Sequence, residues 1–142
     1  VAEEFTEIVR RVNEEHLAFS EAECQVLGFS HQEIGAKIGE MWKLPEPIIQ
    51  CIRYHHEPES LEPANTLVDV VYLANCICLL LGIGLGEDGL YHRASEEVVR
   101  RNSLRESDLE VIGATTLTDL KRVEQLFADA DAGRRPTMAA RT

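Results

Sequence analysis

The chain has 142 residues, 44% hydrophobic and 27% charged, a balance that suits one soluble globular domain with a core of its own. Its 25 acids against 14 bases give a net charge of −11, which makes nucleic acid and anionic membrane surfaces poor partners. No apolar run approaches the ~18 residues of a membrane span. No basic-then-apolar leader opens the chain, which starts at Val1, so a cytoplasmic fragment or processed chain is expected. Cys24, Cys51, Cys76 and Cys78 follow no framework spacing and predict buried free thiols in a reducing compartment.

Residues 3–15 predict an amphipathic helix with Phe5, Ile8, Val9 and Val12 as its apolar stripe. Ser20 and Glu23, three apart, predict a capping box that opens a short helix, which Gly28 ends. Ser30 and Glu33 predict a second box, for a helix that starts at His31 and carries Ile34, Ile38 and Met41 on the His31 face. Gly35 and Gly39 cost that helix propensity, and their spacing predicts the close approach of a neighbouring backbone. Pro45 marks the first turn of the next helix. Along it Ile48, Cys51, Ile52 and His55 share one face, and Ile49, Ile52 and His56 an overlapping one. The spacing thus turns His31, His55 and His56 toward one helical core.

Asn65 predicts a cap for a helix running to about Leu81 that is apolar nearly all round, and such a helix is central. Val68, Val71, Tyr72 and Asn75 share one of its faces. Gly82, Gly84 and Gly86 break it, residues 87–95 read as irregular, and a short helix is expected over 96–101. Ser107 and Glu110 predict a third capping box, opening a helix from Asp108 toward Phe127 with an interruption near 113–118. Residues 129–142 have the composition of a flexible tail. No segment alternates as a strand does, so the fold is expected to be all-α.

Three patterns stand in order: H-x-E-x-G-A from His31, W-x-L-P-x-x-I from Trp42, and H-H-E-P from His55. Together they resemble the HDOD domain, a signalling-associated branch of the HD superfamily of metal-dependent phosphohydrolases, similar to the HD-GYP cyclic-dinucleotide phosphodiesterases. The similarity is dense over 21–80 and weaker over 3–20 and after 104. It implies the C-terminal portion of such a domain: an HD-like bundle of about five to seven helices over residues 1–128, then a tail over 129–142. His31 matches the third histidine of an HD-type site, and His55 and His56 match the histidine pair. The His-Asp dipeptide belongs upstream of these, and none occurs in the chain. The closing aspartate position is occupied by Asn75, which is neutral and a poorer ligand than a carboxylate.

His31, His55, His56 and Asn75 therefore read as a remnant pocket. No catalytic residue and no cofactor is expected. A divalent metal, with His31, His55 and His56 as its ligands, is expected only if the chain is an enzyme. Otherwise the histidines are partly buried and bonded to one another and to nearby carboxylates. His16 and His92 belong to no constellation and read as solvent-facing. The glycine run 82–86 follows a helix and leads into Glu87 and Asp88, so it reads as a helix stop rather than a phosphate loop. Ser20, Ser30 and Ser107 read as caps, not nucleophiles. Arg100, Arg101, Arg105, Lys121 and Arg122 read as solvated helix faces.

The expectation is a non-catalytic regulatory or protein-interaction module of a bacterial signal-transduction protein, of response-regulator output type. Its partners would be other signalling proteins or an attached receiver or sensor domain, with self-association of the chain through apolar faces, and neither nucleic acid nor membrane. Two alternatives stay open. One is a metal-dependent phosphohydrolase acting on a nucleotide or cyclic dinucleotide. The other is a sensor that holds an anion or nucleotide without turning it over.

Overall fold

The computed structural model of the protein describes residues 2–83 and 94–134, with side chains to Ala128. Gly84, Gly86, His92 and the last eight residues of the expected tail lie outside the described residues. Among those described there are seven α-helices, one 3-10 turn and no strand, so the fold is all-α.

The first four helices form two hairpins. Helix α1 (Ala2–Glu15) lays Ile8 and Val12 against Ala22 of α2 (Phe19–Leu27), with Leu17, Phe19 and Val26 closing that small core. Phe5, expected in the stripe, is 57% exposed. Helix α2 starts after Ala18 with no side-chain cap, so Ser20 and Glu23 form no capping box. Gly28 ends the helix in the left-handed region at φ 83°, where a side chain would be strained.

Helix α3 (His31–Met41) does open on the Ser30–Glu33 box, with Ser30 Oγ accepting from the Glu33 N–H and the Glu33 carboxylate accepting from the Ser30 N–H. The buried face of α3 is not the expected one. Gln32, Ala36 and Gly39 are buried, whereas Ile34, Ile38 and Met41 are exposed. The reason is the approach of α4 (Glu46–Tyr54): a Cβ on Gly35 would stand 2.9 Å from Ile52 Cγ2, and one on Gly39 would stand 3.4 Å from Ile49 Cγ1. Contact this close selects the side with the smallest residues, and the larger apolar ones are turned out. Pro45 is the N-cap of α4 rather than part of its first turn.

Helix α5 (Thr66–Leu80) is capped by Asn65, whose side chain accepts from the Leu67 N–H at 2.9 Å. It packs on α4, on the 3-10 turn (Pro58–Ser60) and on the last long helix. Tyr72, Leu73 and Cys76 form the main core with Val98 of α6 (Glu96–Arg101), flanked by Leu104 and Leu109. Leu67, Val70 and Leu80 of α5 remain exposed.

Helix α7 (Glu106–Arg134) runs unbroken through the expected interruption and into the expected tail. The hydroxyls of Thr115, Thr116 and Thr118 donate to carbonyls four residues back, so their polar groups are satisfied within the helix. Its start lies ahead of Ser107: the Asp108 carboxylate accepts from the Arg105 N–H at 2.8 Å, which leaves Ser107 within the helix. Cys24 is exposed, contrary to the expected burial, while Cys51 and Cys76 are buried and Cys78 is half-buried.

Candidate functional site

The histidines meet where α2, α3, α4 and α5 converge. The Ser30 box makes His31 the first residue of α3, so its ring projects from the helix end. The Gly28 turn folds α2 back against it, and Glu23, its side chain only 10% exposed, accepts from the His31 backbone N–H at 2.9 Å. The same carboxylate oxygen lies 2.6 Å from His31 Nδ1. Glu23 is the participant that sequence reasoning missed: its spacing from Ser20 suggested a cap, and its partner stands eight positions on, across a turn.

Helix α4 ends at Tyr54, so His55 is its C-cap and His56 lies just beyond. The absent Cβ at Gly35 lets this end come close to α3. His55 Nδ1 is 2.9 Å from the Ile52 carbonyl; a carbonyl only accepts, so Nδ1 carries the proton and Nε2 a lone pair. Burial pushes His55 below the usual imidazole range and the nearby His31 adds to this, against the opposing bond to Ile52. His56 Nε2 stands 3.1 Å from His31 Nε2, and the Asn75 amide nitrogen reaches His56 Nδ1 at 3.5 Å. Ring centroids are 5.4 Å apart for His31 and His55, 5.1 Å for His31 and His56, and 4.1 Å for His55 and His56. The structure thus brings His31, His55, His56 and Asn75 together.

One ligand atom from each of His31, His55 and His56 lies within 4.8 Å of the others, close enough to share one ion. Neutral imidazoles suit a borderline cation such as Zn²⁺. They fit the two-ion hydrolytic centre poorly, because that centre needs charge-bearing bridges between ions about 3.5–4 Å apart. Glu33 is held in its capping box and Glu57 is exposed at the start of the 3-10 turn. His16 is exposed.

Residues 1–58 match the HDOD domain. The HDOD match, to a domain related to the HD superfamily, runs from α1 through His31 and the His55–His56 pair to Pro58. It stops before α5, so Asn75 falls beyond it. A stretch of the chain is also similar to an uncharacterized protein of Treponema pallidum (strain Nichols), at 46% identity over 46 residues. That stretch is 32% of this chain and 9% of the relative, so the chain spans a small part of the relative's length. No solved structure matches the chain.

The expected basic cluster divides in the structure. Arg101 is no solvated residue: its guanidinium binds the buried Asp69 carboxylate, Nε to Oδ2 at 2.8 Å. Arg100 pairs with Glu97 on the surface at 2.5 Å. Away from the histidines, an apolar groove of about 1130 Å³ lies between α5, α6 and α7, lined by Ile77, Leu81, Val99, Leu104 and Leu109 among others.

Proposed function

We propose that the chain is a non-catalytic regulatory or protein-interaction module of a signal-transduction protein, and that it is the C-terminal portion of an HDOD domain. The observation that carries this reading is the donor set. Three imidazoles converge with a neutral amide, and the carboxylate bonded to His31, that of Glu23, faces the outer nitrogen of that ring rather than the shared space. A phosphoester hydrolase of the HD kind needs anionic ligands to hold and charge-balance its ions.

The surface supports a binding role. Met41 and Trp42, at the α3–α4 turn, are 73% and 74% exposed, and Ile34, Ile38 and Ile48 are exposed on the same two helices. Large apolar side chains left in water on adjoining helices are an interaction surface in waiting, for a signalling partner, an attached receiver or sensor domain, or another copy of the chain. The cytoplasm and a response-regulator setting belong to this proposal. Among the described residues no helix is long and apolar enough to cross a membrane.

Turnover tests the reading. The chain, assayed on a cyclic dinucleotide and on a generic phosphodiester with Mn²⁺, Fe²⁺ and Mg²⁺, is expected to give no metal-dependent hydrolysis. Hydrolysis that disappears in His31→Ala and His55→Ala would overturn the regulatory reading in favour of a phosphohydrolase.

A further inference from the structure

Helix α7 carries one seam along its length. Leu109, Gly113, Thr116, Leu120, Val123 and Phe127 recur at alternating intervals of four and three, the spacing of a coiled-coil seam. The domain uses the first part of it. Leu109 packs on the core of Tyr72, Leu73, Cys76 and Val98, and a Cβ on Gly113 would stand 3.6 Å from the side chain of Leu81, the C-cap of α5. Helix α7 therefore runs alongside α5 and on past its end. After Gly113 no residue as far as Ala128 is buried, so the seam continues for about 22 Å without cover among the described residues. Leu120, Val123 and Phe127, which continue it, are exposed. A helix draws most of its stability from the packing of its apolar face, and here half of that face is in water.

The residues beside the seam select what covers it. Glu110, Leu117 and Glu124 stand on one side, and Ile112, Asp119 and Leu126 on the other. Every charge among them is negative. The bases of this stretch, Lys121 and Arg122, fall on the side of the helix away from the seam. A second copy would bring the same acids. Paired parallel, it sets Asp119 against Glu124; paired antiparallel, it sets Glu110 against Glu124 and Asp119 against itself. Each chain also carries a net charge of −11.

We propose that residues 117–128 of α7 are a docking surface for an amphipathic helix of a partner, one with an apolar seam flanked on both sides by lysine or arginine. Leu120, Val123 and Phe127 supply the apolar contact. Asp119 and Glu124 select a basic helix over an acidic one and over a second copy of this chain. This surface is separate from the one around Met41 and Trp42 and draws on none of the histidines. The turnover assay above therefore decides nothing about it, and its own failure would leave the non-catalytic reading intact.

The probes are two synthetic helices of about three heptads with leucine along the seam, one flanked by lysine and the other by glutamate. Each is titrated into the full chain at low salt by isothermal calorimetry. The lysine helix is expected to bind about tenfold more tightly or better, and to lose affinity as salt rises. Asp119→Lys combined with Glu124→Lys should reverse the preference. Val123→Ser combined with Phe127→Ser keeps the net charge and should abolish binding, with circular dichroism checking that α7 stays helical. Should the serine protein lose helix, the charge-reversed protein decides. No binding of the lysine helix, equal binding of the two, or an unreversed preference in the lysine variant would overturn the proposal. Binding that survives in a helical serine variant would overturn it too, since it would report only attraction to an acidic chain. A wild-type dimer in sedimentation that the serine variant loses would overturn it in favour of a second copy.

Discussion

Two polar clusters hang from α5, six residues apart, and they are built on opposite principles. At Asp69 the carboxylate is 2% exposed and fully engaged, by Arg101 and by the Asn102 amide at 2.7 Å. Arg101 also reaches the Pro58 carbonyl at 3.4 Å, so the cluster ties α5, α6 and the 3-10 turn together. At Asn75 the rings are half-buried and bonded to one another, with the Glu23 carboxylate at the far end. A buried charge with a fixed opposite charge holds helices in register. Half-exposed imidazoles with a lone pair to spare at His55 contribute little to register and keep a chemistry available.

The contrast predicts its sharpest effect at Asp69. Asp69→Ala leaves the Arg101 guanidinium without its counter-charge and is expected to cost about 3–5 kcal/mol in urea denaturation. A loss below ~1 kcal/mol would show that the pair behaves as an exposed one. Glu23→Ala, which strands the His31 backbone and ring N–H groups, is expected to cost about 1–3 kcal/mol by the same measurement. It should also shift the His31 ring resonances while those of Arg101 stay in place.

Gly35→Ala separates the clusters by packing alone. Its Cβ would stand 2.9 Å from Ile52 Cγ2, so α4 must move off α3. Overpacking costs about 1–3 kcal/mol, and the better helix propensity of alanine returns about 1 kcal/mol, so a small net loss is expected. Thermal melting measures it, and the His31–His56 contact, read from ring-to-ring nuclear Overhauser effects, should weaken while the Asp69 cluster is unaffected.

The smallest effect is in pH. His55 lies below its ordinary value of 6.5 in the folded chain, chiefly through burial, so the unfolded chain binds the proton more tightly. Its contribution to stability is complete above pH 6.5 and declines as the pH falls below that value toward the folded one. For Asp69, burial would raise the carboxyl, but the Arg101 and Asn102 hydrogen bonds and the Arg101 charge hold it below the ordinary 3.8. Its contribution is present above that value and is lost as the pH falls through the folded one. Stability measured against pH should therefore fall in two legs. His55→Gln should remove the upper leg alone, and an upper leg that survives this substitution would assign it to another group.

Local rules were enough for whatever depended on neighbours in the chain. The Ser30–Glu33 box, the Gly28 stop, the Asn65 cap, the centrality of α5 and the all-α class follow from spacing and propensity, which act within one or two turns. The spacing of His31, His55 and His56 also pointed to one core. Only the tertiary structure decided which competing local option prevailed. Glu23 could cap its own helix or bind His31, and the fold back at Gly28 supplies the second partner. The α3 face could bury isoleucines or glycines, and the closeness of α4 selects glycines. Arg101 could sit in water or answer a buried Asp69, and the packing of α6 on α5 brings the two together. In each case the deciding partner lies many residues away, and periodicity along a single helix carries no information about it.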